Sequence, residues 1–309
     1  MWSLPTGLES TLKLLGLFLS RSKTRAQTIY RILSTENALG QDSLYLNLGF
    51  WAEARTYDAA CRDLALLLSE AAALNAGDEL LDVGFGFGDA DLLWLERYAL
   101  ERIVGLNITP SQVEVARRRV AERNRSDRIE LQEGSATCIP FEAARFDKVM
   151  ALECSFHFDT RTDFFREAFR VLRPGGRLAL ADVVPITTAS RNLFMRLGEY
   201  LGRCFWQIPA ANLYGEADYL AKLRAARFEN VRSRSIRDHV FEPFARFAHA
   251  RLGESELKQR MHPLIRAFWA ASVRDPRAFD GVDYLIVTAD KPESRTMPLD
   301  GAQLSTVAR

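Results

Sequence analysis

The sequence predicts a doubly wound α/β protein with a seven-stranded, mostly parallel sheet, a helical N-terminal segment and a helical lid. Three observations support this prediction. Short apolar runs alternate with helical patterns from Glu79 onward, as they do when helices join the strands of a parallel sheet. The first run leads directly into three closely spaced glycines. After Val184 the alternation loosens into longer helical stretches with two further strand-like runs.

The composition is that of a globular chain with no strong preference for a charged partner. Of its 309 residues, 48% are hydrophobic and 26% are charged, close to the average for globular proteins. The 41 Lys and Arg residues against 40 Asp and Glu give a net charge of +1, which disfavours nucleic-acid binding. The four cysteines form no CxxC pair, which favours a reducing compartment and a cytoplasmic protein. The sequence lacks an apolar run of about 20 residues, so we expect no stable membrane insertion.

Residues 1–74 are predicted to form a helical segment followed by a loop. Thr6 and Glu9 have the spacing of a capping box, and regularly spaced leucines give residues 6–33 one apolar helical face. The simplest interpretation is a helix packed on the main domain. Contact with a membrane surface, or a flap over a ligand, is the alternative.

Residues 75–185 are predicted to form the core of the sheet. A helix begins at Thr109 as the N-cap and Pro110 as the first helical residue, and it extends to Arg123. A second helix over Thr162–Leu172 ends at Pro174-Gly175-Gly176. The five strands predicted here are Glu79–Val83, Arg102–Leu106, Ile129–Gln132, Phe146–Leu152 and Arg177–Val184.

Residues 186–292 are predicted to add lid helices and the last two strands, and residues 293–309 form a loose polar tail. The strands are Asn230–Ile236 and Asp283–Ala289. The helical stretches are Ala189–Cys204, Glu216–Arg227 and Glu242–Val273.

The strongest functional signal is the run Asp82–Gly88, which reads D-V-G-F-G-F-G. Glycine permits positive φ angles and a close approach of the backbone to a ligand. The spacing differs from the G-x-G-x-x-G of dinucleotide-binding loops, although an NAD-dependent oxidoreductase remains an alternative. Asp89 and Asp91 follow at the start of a helix, where a phosphate would meet like charge. The loop therefore favours a ligand that carries positive charge.

These residues resemble the class I S-adenosylmethionine-dependent methyltransferases, in particular the small-molecule group that acts on quinones, sterols and natural products. The resemblance covers about Leu80 to Val184 and, more weakly, Asp283–Ala289. It implies the Rossmann-like methyltransferase fold and S-adenosyl-L-methionine as the cofactor. In the family an acidic residue usually stands where Asn107 contacts the ribose, and an Asp where Ser135 contacts the adenine. The implied cofactor residues are Asp82, Gly84, Phe85, Gly86, Gly88, Asn107, Ile108, Ser135, Ala136 and Glu153.

The resemblance also implies a general base at the end of the fourth strand. Methyl transfer from a sulfonium is an SN2 displacement, which requires aligned reactants and exclusion of water. An acidic acceptor group must also lose its proton, and histidine can take it near neutral pH. His157 matches the histidine that many small-molecule methyltransferases carry here, and Asp182 is expected to orient it or stabilise its charge. We predict no metal site.

Aromatic residues are the candidates for the acceptor site. The stretch Tyr45–Trp51 resembles the loop that precedes the core domain in this family and folds over the cofactor, where an aromatic ring could shield the sulfonium. An aromatic pocket favours a fairly large apolar acceptor. The candidate substrate-binding residues are Tyr45, Trp51, Phe156, Phe205, Trp206 and Tyr214.

The resemblance thus implies methyl transfer to an apolar small molecule of secondary metabolism, with O-methylation favoured and C-methylation close behind. One alternative is C-methylation of a prenyl diphosphate or another lipid, whose anionic group the arginines of the lid would bind. These are Arg191, Arg196, Arg203, Arg224 and Arg227. Another is a non-catalytic or cyclase use of the same fold. A homodimer is compatible with all of these.

Overall fold

The structure is a computed structural model that describes residues 39–186, 208–261, 263–274 and 279–293. The helices predicted over 6–33 and 189–204, and all but the first residue of the predicted tail, lie outside the described residues.

The centre of the fold is a seven-stranded sheet in the order β3-β2-β1-β4-β5-β7-β6. The pairs among β1 to β5 are parallel, whereas β7 lies antiparallel to both β5 and β6. The predicted mostly parallel, doubly wound sheet is confirmed. The strands are Glu79–Val83 (β1), Arg102–Asn107 (β2), Ile129–Glu133 (β3), Phe146–Leu152 (β4), Leu172–Pro185 (β5), Glu229–Ser235 (β6) and Val282–Asp290 (β7).

Helices cover both faces of this sheet. Alternate side chains of a strand point to opposite faces, and in β1 Leu80 joins one buried cluster while Leu81 joins the other. The first cluster includes Trp94, and the second includes Phe164. The described helices are Tyr57–Ala72 (α1), Asp89–Tyr98 (α2), Pro110–Glu122 (α3), Arg161–Val171 (α4), Glu216–Ala225 (α5), Phe241–Arg251 (α6), Ser255–Arg260 (α7) and Pro263–Ser272 (α8).

Local sequence explains where several of these helices begin. Thr56 caps α1 by accepting a hydrogen bond from the Ala59 amide, and Thr160 caps α4 in the same way through Asp163. Pro110 occupies the first turn of α3, where its missing N–H group costs nothing.

Two elements differ from the sequence-based expectations. Strand β5 begins at Leu172 rather than Arg177, because Leu172 pairs with Phe146 before the register shifts and Arg177 pairs with Lys148. The helical stretch predicted over 242–273 is divided into α6, α7 and α8. Proline cannot continue a preceding helix because it lacks an N–H group, so Pro263 begins a new one.

Candidate active site

A cavity of about 670 Å³ lies beyond the carboxyl ends of β1, β2 and β4. The chain reverses its winding between β1 and β4, and ligands of doubly wound sheets bind at such a switch point. Three further segments complete the walls: the pre-core loop Leu44–Asn47, the turn that carries His157, and Ile208–Ala210.

The glycine loop after β1 has the open backbone that its sequence predicts. Gly84, Gly86 and Gly88 have φ angles of +85°, +59° and +80°, which side chains rarely tolerate. A Cβ atom on Gly84 would lie 2.5 Å from the Cys154 Sγ, whereas one on Gly86 would meet nothing within 4 Å. Gly84 is therefore required by protein packing, while the space beside Gly86 is left for a ligand.

An ion pair holds this loop from outside the cavity. Arg119 of α3 donates to both carboxylate oxygens of Asp89 at 2.6 and 2.7 Å and to the Phe87 carbonyl at 2.6 Å. The charge of Asp89 is therefore already neutralised by protein, which leaves Asp82 as the acidic group available in the loop.

Asp82 at the end of β1 combines burial with an unused oxygen. It lines the cavity but is only 1% exposed, and Asp91 behind it is fully buried. Among the described residues, no amide, hydroxyl or basic group donates to Asp82 Oδ1 or to either Asp91 oxygen. The two carboxyl groups interact with each other, and burial raises the pKa of Asp82 to about 7. Burial and the charge of Asp82 raise the pKa of Asp91 well above its usual range, since two neighbouring buried carboxyl groups disfavour a second negative charge.

Asn107 at the end of β2 shapes the wall beside the glycine loop. Its Nδ2 donates to the Gln112 side chain at 2.9 Å and to the Gly86 carbonyl at 3.3 Å, and its Oδ1 accepts from the Thr109 amide at 3.3 Å. The next residue, Ile108, is 52% exposed although it is a large apolar side chain. Such an exposed side chain on a cavity wall is available to pack on a ligand.

The turn after β3 contributes a small polar patch to the same wall. Ser135 Oγ lies 3.0 Å from the Thr137 hydroxyl and accepts a hydrogen bond from the Thr137 amide at 3.3 Å. Ser135 and its neighbour Ala136 both line the cavity.

Glu153 at the end of β4 ties the pre-core loop to the sheet. Its Oε2 accepts hydrogen bonds from the Tyr284 hydroxyl at 2.6 Å and from the Leu48 amide at 2.9 Å. Burial raises the pKa of Glu153 to about 7. The carboxyl group thus holds the loop segment that contributes Tyr45 to the cavity wall.

His157 lies on the cavity wall in a 3₁₀ turn over Ser155–His157. Its backbone amide donates to the Cys154 carbonyl at 3.0 Å, and its ring lies 4.2 Å from that of Phe156. The cavity therefore brings the predicted base and the glycine loop to one site.

The comparisons with known proteins agree with this geometry. Residues 81–180 match the family described as a methyltransferase domain. The erythromycin 3''-O-methyltransferase of Saccharopolyspora erythraea is 36% identical over 280 residues, which cover 88% of this chain and 92% of that protein. The chain belongs to the S-adenosylmethionine-dependent methyltransferases.

Two other proteins extend the comparison. The 27-O-demethylrifamycin SV methyltransferase of Amycolatopsis mediterranei is 30% identical to this methyltransferase over 254 residues, covering 80% of this chain and 90% of that protein. The solved structure of the [4+2]-cyclase SpnF superimposes with a TM-score of 0.71 at 25% identity, covering 88% of this chain and 97% of that one. The predicted family, enzyme class and cofactor, and methyl transfer to a small-molecule natural product, are confirmed.

The cavity of this methyltransferase suits S-adenosylmethionine in two respects. The open space beside Gly86 admits a ligand against bare backbone, and the unused Asp82 Oδ1 offers an acceptor for an ammonium group. When bound, S-adenosylmethionine supplies an electrophilic methyl group on its sulfonium.

Five of the predicted site residues that the structure describes do not line the cavity. The Asp182 carboxylate is fully buried because it neutralises Arg161, with N–O distances of 2.9 and 3.2 Å, and it also accepts from Ser155 and Tyr219. It therefore supports the His157 turn from behind instead of facing the cavity. Gly88 caps α2, and Phe156 lies beside the His157 ring.

Trp51 and Tyr214 pack within the protein instead. The Trp51 indole donates to the Leu48 carbonyl at 2.7 Å, and its ring lies 4.9 Å from Phe247 of α6. Tyr214 is 9% exposed and packs under Arg161 and beside Tyr219. Phe205 and Trp206 lie outside the described residues.

Proposed function

We propose that this methyltransferase transfers the methyl group to a hydroxyl group of a large apolar natural product such as a polyketide. The observation that carries the proposal is the position of His157, which lines the same cavity as Asp82 and the glycine loop. The relatives' names support it, since they describe methylation of oxygen atoms of erythromycin and of a rifamycin.

We assign the two ends of the cavity to the two substrates. Asp82, Gly84, Phe85, Gly86, Asn107, Ile108, Ser135, Ala136 and Glu153 would contact or shape the cofactor site. His157 is the general base: a ring nitrogen accepts the hydroxyl proton while the oxygen bonds to the methyl carbon and the carbon–sulfur bond breaks. Phe158 and Ile208–Ala210 would form an apolar wall for the acceptor.

The charge of the cavity disfavours a diphosphate acceptor. Its described lining includes the carboxylates Asp82, Asp89, Glu153 and Asp159 and contains no Lys or Arg. Anionic groups are recognised by Arg and Lys, and because Arg119 already neutralises Asp89, what disfavours a prenyl diphosphate is the lack of a counter-charge in this described lining. Of the lid arginines, Arg224 and Arg227 do not line the described cavity, and Arg191, Arg196 and Arg203 lie outside the described residues.

A cyclase function is the second candidate, and its support is the similarity to SpnF. The two functions differ in a measurable product. Methyl transfer releases S-adenosylhomocysteine and adds one methyl group to the acceptor, whereas cyclisation does neither.

The test is incubation with S-adenosylmethionine and a panel of hydroxyl-bearing polyketides, their glycosides and matched O-methyl analogues. We expect S-adenosylhomocysteine to form only with a free hydroxyl. His157→Gln should lower kcat about 10²- to 10⁴-fold while the Kd for S-adenosylhomocysteine stays within about twofold. Full turnover by this variant would remove His157 from the proposed mechanism, and cyclised product without S-adenosylhomocysteine would favour the cyclase.

Four further expectations remain proposals. They are that the protein is cytoplasmic, that it forms a homodimer, that it binds no nucleic acid, and that the chain is divided into residues 1–74, 75–185, 186–292 and 293–309. Within the described ranges, no helix is both long enough and apolar enough to cross a membrane.

A further inference from the structure

One buried amide side chain holds the turn that carries His157. Asn212 ends a 3₁₀ turn over Ala210–Asn212 and is 0% exposed. Its Nδ2 donates to the Phe158 carbonyl at 2.7 Å and to the Phe156 carbonyl at 3.1 Å. Both hydrogens of the amide are thus committed to the residues on either side of His157.

The other polar groups of Asn212 join it to helix α4. Its Oδ1 accepts from the Arg161 backbone amide at 2.9 Å, and its backbone carbonyl accepts from Arg161 Nη1 at 2.6 Å. Arg161 in turn binds Asp182, which accepts the Ser155 hydroxyl. The turn is therefore anchored twice from behind, by Asp182 at its first residue and by Asn212 around its last.

The same residue is continuous with the acceptor side of the cavity. Ile208, Pro209 and Ala210 line the cavity, and the Asn212 backbone amide donates to the Pro209 carbonyl at 2.9 Å. A displacement of this wall and a displacement of the His157 turn are therefore linked through one side chain.

We infer that Asn212 is a positioning residue that fixes His157 relative to the acceptor wall. The inference rests on the proposed role of His157. Without the amide, the part-buried carbonyl oxygens of Phe156 and Phe158 lose the one donor that ties both sides of His157 to Asn212, so the turn is no longer held in one position. A misplacement of about 1 Å in a reacting group lowers the rate about 10²-fold, so a loosened turn should slow methyl transfer without touching the cofactor site.

The first test replaces the amide with an apolar side chain of similar size, Asn212→Leu, and observes His157 directly. The chain contains four histidines, so histidine labelled with ¹³C at Cε1 gives four NMR signals, and His157→Gln identifies the one of interest. We expect this signal to shift or broaden in Asn212→Leu while the signals of His239 and His249 stay in place. We also expect kcat to fall about 10²-fold with the Kd for S-adenosylhomocysteine within about twofold.

Ser69→Ala is the matched control, because Ser69 is also a buried polar residue that donates to a backbone carbonyl, that of Leu66 at 2.7 Å. It belongs to α1, away from the His157 turn, so kcat and the His157 signal should stay unchanged. An equal effect of both substitutions on kcat would indicate general destabilisation and overturn the inference.

Asn212→Asp provides a second variant of nearly the same shape. It keeps the oxygen that faces Arg161 but places an acceptor against the carbonyls of Phe156 and Phe158. Protonation restores one donor, so the defect in kcat relative to the parent should diminish as the pH falls, which a purely structural defect would not do. The inference would be refuted if both variants kept the His157 signal of the parent and a kcat within about twofold of the parent value. The NMR result stands apart from the proposed function, because it holds even if His157→Gln retains full turnover.

Discussion

The affinity of the cavity for its cofactor should rise about tenfold between pH 6 and pH 8. Asp82 is the acceptor that we propose for the ligand's ammonium group, and burial raises its pKa to about 7. With that value about one-eleventh of Asp82 is ionised at pH 6 and about ten-elevenths at pH 8. An apparent Kd scales inversely with the competent fraction, so the two conditions differ about tenfold, or about 1.4 kcal/mol.

Isothermal titration calorimetry with S-adenosylhomocysteine measures this dependence directly. Asp82→Asn should weaken binding by about 1.5–3 kcal/mol, the usual worth of a hydrogen bond to a charged group, and should abolish the pH dependence. Asp91→Asn is the matched control: it removes the neighbouring buried carboxyl group but keeps the Asp82 carboxylate, so tight binding at pH 8 should remain.

Glu153 must be separated from Asp82 because its pKa is also raised to about 7 by burial. Glu153→Gln should leave the tenfold dependence in place if Asp82 causes it. An affinity that stays constant from pH 6 to pH 8 in the parent protein would refute the reasoning, as would a full dependence that survives in Asp82→Asn.

The glycine loop and the buried ion pair give two further predictions. Gly84→Ala should lower the Tm by several degrees in differential scanning fluorimetry, because its Cβ would lie 2.5 Å from the Cys154 Sγ at a φ of +85°. Gly86→Ala should mainly weaken S-adenosylhomocysteine binding, and equal losses of Tm in the two variants would contradict this contrast. Arg161→Met should lower the free energy of unfolding, measured in urea, by about 3–5 kcal/mol, because it leaves Asp182 buried without a counter-charge. Adding Asp182→Leu should recover part of that loss. A single variant as stable as the parent would contradict this prediction.

Local patterns were sufficient to predict the sheet and the glycine loop that follows β1. The run Leu80–Val83 followed by Gly84 is readable because an apolar strand and a glycine turn are both determined by neighbouring residues. His157 could be placed for a similar reason: it follows β4 directly, and all carboxyl ends of parallel strands meet at one edge.

Contacts between distant residues could not be predicted in this way. Trp51 does not line the cavity because its ring packs against Phe247, which lies almost 200 residues later in the sequence. Asp182 has the strand-end position of a catalytic carboxylate, but it forms a buried ion pair with Arg161. Arg161 and Asn212 carry no motif, and only their burial in three dimensions distinguishes them from the many surface residues of the same types.

The position of β7 has a consequence for the order in which the protein matures. This strand lies between β5 and β6, and its Tyr284 completes the hydrogen bonds of Glu153 to the loop at Leu48. In a nascent chain whose β7 has not yet left the ribosome, β6 has no strand to pair with and Glu153 lacks the hydrogen bond from the Tyr284 hydroxyl. The wall that Glu153 holds is thus completed only when Tyr284, 131 residues later in the chain, has been synthesised and has paired into the sheet.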